Sequence, residues 1–189
     1  VQTCALPILP IPFLCMATNL ENGQSVVMES GNLTDALRAS VAFPSIFSPY
    51  QIDSFLYVDG GVRNNLPIAI LKDEKQMDFV IAIDVQGRLY GNHELNSIVE
   101  VLEQVGSFQN VEYFEKQKHK ADILVRPNID EFDIDDYQFA DTIQKRGYRC
   151  MMPYLEQMQD VAKQQGNIAE VRIPGIANPL QRFMVDSIL

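Results

Sequence analysis

Val58-Asp-Gly-Gly-Val-Arg-Asn-Asn-Leu-Pro67 places one carboxylate, Asp59, where an apolar run ends against two glycines. Phe55 to Val58 is a β-prone lead-in, so the stretch predicts a strand that stops at Asp59. Gly60 and Gly61 permit backbone angles and close approaches that a side chain forbids. Two readings of Asp59 stand side by side. In one, the strand end holds the acid rigidly at a sheet rim for catalysis or ligand binding. In the other, Asp59 only accepts backbone hydrogen bonds in a strand-to-loop turn. Arg63, Asn64 and Asn65 either line the rim of a pocket there or serve as turn and capping residues.

Working outward, Ala36 to Tyr50 reads as a short helix broken by Pro44 and followed by a turn at Pro49. Further upstream, residues 11–18 and 24–29 read as strands joined through Asn19-Leu-Glu-Asn-Gly23, whose Asn-Gly pair is a hairpin turn signal. Asn32 then precedes the helix, with Asp35 three residues on in the manner of a capping box, and Leu33, Ala36, Leu37 and Ser40 to Val41 supply a buried face. Downstream, Pro67 opens a short helix in the favoured first-turn position, and Lys72-Asp-Glu-Lys75 is its solvated stop.

Asp78-Phe-Val-Ile-Ala-Ile-Asp-Val85 is the most strand-like run of the chain, almost without alternation. Such a run predicts a central strand buried on both faces. Residues 95–120 carry Leu95, Ile98, Val99, Leu102, Val105 and Phe108 at helical spacing, which predicts a surface helix with one buried stripe. A strand over 121–126 and a helix over about 137–165, kinked near Cys150 to Pro153, complete the pattern. Alternating strands and helices indicate an α/β fold, a layered sheet covered by helices on both faces.

Composition narrows the function. At 189 residues, 47% hydrophobic and 21% charged, the chain is an ordinary globular sequence able to bury one core. A formal net charge of -10 disfavours a nucleic-acid surface, which needs clustered Lys and Arg, and does not favour docking on anionic lipid by charge alone. Cys15 and Cys150 are far apart, in no metal-like spacing, and are expected to be reduced core thiols. Asp133, Asp135 and Asp136 sit before a helix, where the macrodipole favours negative charge. They lack the glycine and distal glutamate of a calcium loop.

The segments from 36 to 50 and from 55 to 67 together resemble the patatin-like phospholipase family. The family pattern is a helix carrying Ala-Ser, then Pro-x-x-Phe-x-Pro, then a strand ending in Asp-Gly-Gly or Asp-Gly-Ala. Ala39, Ser40, Pro44, Phe47, Pro49, Asp59, Gly60 and Gly61 match it, with Asn65 and Pro67 in keeping. The lead-in from Pro12 to Leu20, Gly23 and the strand 79–85 are also similar to the family. The match covers residues 9 to 90 well and thins toward 165. The resemblance implies an incomplete patatin-like fold in which Asp59 is the base of a Ser/Asp dyad, with Gly60 and Gly61 as motif support. It implies no cofactor and no metal, and gives no role to His93 or His119, both expected to face solvent.

A patatin nucleophile sits in Gly-x-Ser-x-Gly, and an upstream Gly-rich loop supplies the oxyanion amides. Neither is present. The two glycines four apart, Gly87 and Gly91, flank Leu89. The expectation is a C-terminal part of a longer enzyme, residues 9–174, that carries the acid without its nucleophile and is inactive alone. Its partners would be the missing N-terminal segment of its own domain and a lipid or ester substrate at a membrane surface. Residues 1–8 look like a non-native leader, the translation of a sequencing adapter.

Residues 175–189 read as a linker and the possible first strand of a following domain. Some bacterial patatin-like proteins continue into a POTRA domain and an outer-membrane barrel. That architecture would place the parent at the outer membrane or cell surface; otherwise a cytoplasmic esterase is expected. Two further readings remain: a non-catalytic patatin-fold binding or scaffold module, and a nucleotide-binding domain with Asp84 on a ribose. The latter lacks Gly-x-Gly-x-x-Gly.

Overall fold

A computed structural model of the chain describes residues 12–44, 46–132 and 136–164. The expected leader (1–8), the expected tail strand (175–189), and Asp133 and Asp135 lie outside the described residues. The architecture is α/β. Strands β1 (Cys15–Asn19), β2 (Ser25–Met28), β3 (Tyr50–Ile52) and β4 (Phe55–Asp59) form an antiparallel sheet in the order β2-β1-β4-β3. Strands β5 (Ile81–Ile83) and β6 (Ile123–Val125) form a parallel pair. Among the described residues four α-helices accompany them: α1 (Leu33–Ser40), α2 (Ile98–Gln117), α3 (Ala140–Met151) and α4 (Leu155–Gln164). Among the described residues, no helix is long and apolar enough to cross a membrane.

The hairpin forms where Asn22-Gly23 predicts it, with Gly23 at φ 68° and Cys15 opposite Met28. α1 starts at Asn32, whose side chain accepts from the Thr34 N–H at 2.8 Å. Such a cap is worth about 1 kcal/mol. Asp35 does not close a capping box; its carboxylate accepts from the Tyr50 hydroxyl at 2.8 Å and ties α1 to β3 instead. The buried face is narrower than the sequence suggests. Ala36 and Ala39 pack on Ala17 and Met28, while Leu37 and Val41 are exposed. Two alanines at the contact bring α1 close to the sheet, and the chain leaving it reaches Asp59, whose N–H donates to the Ala42 carbonyl at 3.0 Å.

A second core lies where the helical turn after Pro67 packs on β5. Ile68, Val80 and Ala82 are its buried members, backed by Leu66, Leu71 and Leu124. That turn widens to π-helical hydrogen bonding over Ile70–Glu74, with the Lys75 N–H on the Ile70 carbonyl. Its end is not simply solvated. Lys72 pairs with Asp122 at 2.9 Å, Lys75 with Glu29, and Asp73 with Lys120.

Two expectations about burial fail. Val80, Ala82 and Asp84 are buried, but the alternate residues Ile81, Ile83 and Val85 are 38%, 50% and 61% exposed, so the strand is covered on one face. In α2, Ile98, Leu102, Val105 and Phe108 are exposed, the Val99 side chain lies outside the described residues, and the half-buried or buried positions among the described side chains are Glu100, Glu103, Gln104, Ser107, Asn110, Phe114 and Gln117. The helix therefore packs largely through polar side chains. The expected break in the last helix is present: Pro153 sits in a 3-10 turn, Met152–Tyr154, between α3 and α4.

Asp84 is not available to a nucleotide. It is 1% exposed, takes the Arg126 guanidinium at 3.0 Å and accepts from the Gln86 N–H at 3.1 Å. Removing the arginine strands a buried carboxylate. Arg126→Ala should therefore cost about 2–3 kcal/mol, less than a fully buried pair because the arginine is half exposed and screened. A chemical-denaturation midpoint equal to wild type would show that water replaces the guanidinium without penalty.

Candidate active site

β4 runs beside β1 with Asp59 opposite Ala17 and Val58 opposite Thr18. The Asp59 backbone is fixed at both polar groups. Its N–H donates to Ala42, and its carbonyl accepts from the Thr18 hydroxyl at 3.1 Å. The strand then turns at once into a 3-10 helix, Gly60–Val62, for which Asp59 is the N-cap. One carboxylate oxygen, Oδ1, accepts from the Gly61 N–H at 2.7 Å. Among the described residues the carboxylate has no other protein partner and stands in no ion pair, which leaves Oδ2 open to chemistry.

The two glycines serve two different contacts. A Cβ on Gly60 would sit 2.5 Å from the Met16 carbonyl oxygen and Cβ, so the turn passes against the β1 backbone. At Gly61 a Cβ would meet side-chain ends, Asn65 Oδ1 at 2.7 Å and Asp59 Oδ1 at 3.0 Å. Neither lies in the left-handed region; among the described glycines only Gly23 and Gly31 do. Close approach, rather than backbone angle, selects glycine here.

Asp59 lines a cavity of about 320 Å³ together with Cys15, Ser40, Asn64, Asn65 and Pro67. Burial pushes the Asp59 carboxyl above the ordinary carboxylate range, against the Gly61 hydrogen bond, which pulls it down. The Cys15 thiol is also raised by burial, opposed by a hydrogen bond from Ser40. The cavity thus pairs a desolvated acid with a protonated thiol and a hydroxyl. A carboxylate of this kind can accept a proton from a neighbouring hydroxyl or hold a polar ligand.

Of the rim residues read from the sequence, Asn64 and Asn65 line the cavity. Arg63 turns away: its guanidinium donates to Gln109 at 2.7 Å and lies over the Tyr113 ring at 5.6 Å. His93 and His119 are both exposed and outside the cavity lining. Among the described residues, no group of three or more His, Cys, Asp or Glu side chains could hold a metal. Sequence reading missed Asn110 and Gln117, whose amides grip the 61–69 loop from α2. Their spacing of seven was a signal that the polar side of α2 faces inward.

The sequence model of the patatin-like phospholipase family matches residues 13–72, the span that holds β1 to β4 and the Asp59 turn. An uncharacterised NTE family protein of Mycobacterium tuberculosis is 39% identical over 83 residues, 44% of this chain and 23% of that protein. Lysophospholipase NTE1 of Scheffersomyces stipitis is 32% identical over 75 residues, 40% of this chain and 5% of its own length. Lysophospholipase NTE1 of Pyricularia oryzae is 22% identical over 175 residues, 79% of this chain and 12% of its own length. The chain spans less than a quarter of the length of these curated relatives. Helix, Pro-x-x-Phe-x-Pro turn and Asp-Gly-Gly strand end fall in order inside the matched span, and over residues 13–72 the chain is similar to the patatin-like phospholipase family.

Proposed function

We propose that Asp59 is the base of a Ser/Asp dyad in a lipid acyl hydrolase, and that the serine comes from polypeptide outside residues 1–189. On this reading residues 9–174 form the acid-bearing part of the hydrolase domain. The observation that carries it is the state of Asp59: a half-buried carboxylate with one oxygen on the Gly61 N–H, no cation beside it, and a cavity in front. An acid that merely closed a turn would have no need of the cavity or of the desolvation that raises its proton affinity.

The serine oxygen would attack the ester carbonyl carbon while its proton passes to Asp59. The carbon–oxygen bond of the ester then breaks, and the proton leaves with the alcohol. Water, deprotonated by the same carboxylate, releases the acyl group and restores the serine. The names of the two fungal relatives make a lysophospholipid the first substrate to try, presented at a lipid surface. No cofactor enters these steps.

The test is covalent. A protein containing this sequence and active on lysophospholipid is treated with a fluorophosphonate, and the modified serine is located by mass spectrometry. The reading expects one adduct, outside residues 1–189, and none on the 189-residue chain alone. An adduct on Ser40, the hydroxyl that lines the same cavity, would replace the dyad with one internal to this chain.

A further inference from the structure

The Gly61 peptide is held from both sides. Its N–H donates to Asp59 Oδ1 at 2.7 Å, and its carbonyl accepts from the Asn110 side-chain amide of α2. The same amide turns its oxygen to the Asn65 N–H at 3.2 Å. Donor faces carbonyl and acceptor faces N–H, so one orientation of the Asn110 amide satisfies both ends and the flipped one satisfies neither. Two turns on, roughly 10.5 Å along the helix, Gln117 repeats the pattern. It is 5% exposed, accepts from the Ala69 N–H at 2.9 Å and donates to Asn64 Oδ1 at 2.9 Å.

We propose that α2 is a clamp for the proposed base, in which Asn110 is a positioning residue that aims the Gly61 N–H at Asp59 through the Gly61 peptide, with Gln117 anchoring the far end of the same loop. Both amides lie on the helix face turned to the domain, and they bridge the loop at Gly61, Asn64, Asn65 and Ala69. A helix packing only for stability would place apolar side chains on that face. Here the exposed side carries Ile98, Leu102, Val105 and Phe108 instead. Neither amide borders the cavity, so neither touches substrate. Their effect on the acid travels through one peptide group, whose orientation fixes how well the N–H stabilises the ionised carboxylate.

This role rests on Asp59 being the base, but its measurement does not need turnover. In the 189-residue chain, NMR reads the exchange of the Gly61 amide, the exchange of the Asn110 side-chain protons and the titration of the Asp59 carboxyl carbon. In wild type the Asn110 side-chain protons should exchange at least about tenfold more slowly than those of exposed Asn22, because both amide groups are engaged. Asn110→Ala, a good helix former, should speed Gly61 exchange about tenfold, leave the Thr18 and Val58 amides unchanged, and raise the Asp59 midpoint by about half a pH unit or more. Asn110→Gln, which keeps the amide, should recover part of that shift.

Gly61 exchange and an Asp59 midpoint equal to wild type in Asn110→Ala would overturn the clamp. If that variant does not fold, the wild-type side-chain exchange decides alone: protected protons support the clamp, and protons as fast as those of Asn22 overturn it. None of these results depends on hydrolysis, so a negative outcome removes the clamp and leaves the dyad standing. An adduct on Ser40 would replace the proposed dyad and leave the clamp standing.

Discussion

Asp59→Asn is expected to lower ester hydrolysis by about a thousandfold in a protein that contains this chain and its nucleophile, while the fold stays intact. The size follows from what the amide can and cannot do. Asn keeps an oxygen to accept from the Gly61 N–H at the same position, so the turn and the cap on Gly60–Val62 survive. It cannot take the serine proton, and loss of a general base costs about 10²–10⁴ in rate. A thousandfold loss corresponds to about 4 kcal/mol of transition-state stabilisation.

The pH dependence of wild-type hydrolysis and the stability of the variant carry opposite signs, which separates catalysis from folding. Hydrolysis needs the ionised acid, so the rate falls as pH drops through the Asp59 pKa. Burial places that limb above the ordinary ~3.9 of a free aspartate. Stability runs the other way. A folded pKa above the unfolded value means that the ionised group weighs against the native state at neutral pH, and that the penalty disappears below the unfolded pKa. Asp59→Asn should therefore melt no lower than wild type at pH 7, with any gain vanishing toward pH 3. Near-native turnover in the Asn variant would remove Asp59 from the mechanism, and a lower melting temperature at pH 7 would show that its charge supports the fold.

Local signals made the site legible and long-range cover made the rest illegible. The Asn22-Gly23 turn, the Asn32 cap, the Pro153 break and the strand ending at Asp59 are each set by a few neighbouring residues. A strand end and turn set within a decapeptide can be read from it. The run 78–85 could not be read in the same way, because an unbroken apolar sequence states that both faces could be covered without stating that both are. Only the face of Val80, Ala82 and Asp84 is covered.

α2 misled for a related reason. Helical spacing of Ile98, Leu102, Val105 and Phe108 defines which side is apolar, and the packed side was inferred from it. Long amides can replace water by backbone partners, so a row containing Gln104, Asn110 and Gln117 can serve as an inward face. The partners that make this possible, the carbonyl of Gly61 and the N–H groups of Asn65, Ala69 and Tyr90, lie 14 to 49 residues away. Periodicity within one helix carries no information about them.

Replacing Gly60 should be the most damaging single change to the fold, and the reason can be tested apart from backbone angle. A Cβ there would lie 2.5 Å from both the oxygen and the Cβ of Met16, and 2.6 Å from its carbonyl carbon. No rotamer relieves a clash with backbone, so β1 and β4 must separate at the pair that carries Asp59. Overpacking of this sort costs up to about 3 kcal/mol and sometimes more. For Gly60→Ala that is roughly 6–12 °C of melting temperature in a chain of this size, and Gly60→Val should be worse. Gly61→Ala meets only the ends of Asn65 and Asp59, which can move, so it should cost less stability while disturbing the acid. Gly23→Ala provides the third arm: its φ is 68° and nothing lies within 4 Å of the added carbon, so only the angle is strained, at about 1–2 kcal/mol. Thermal melts of the three variants should rank Gly60→Ala lowest. A Gly60→Ala protein that melts with wild type would mean that β4 and β1 do not approach as closely as the Asp59 geometry requires, and the acid would no longer be held at the cavity by the sheet.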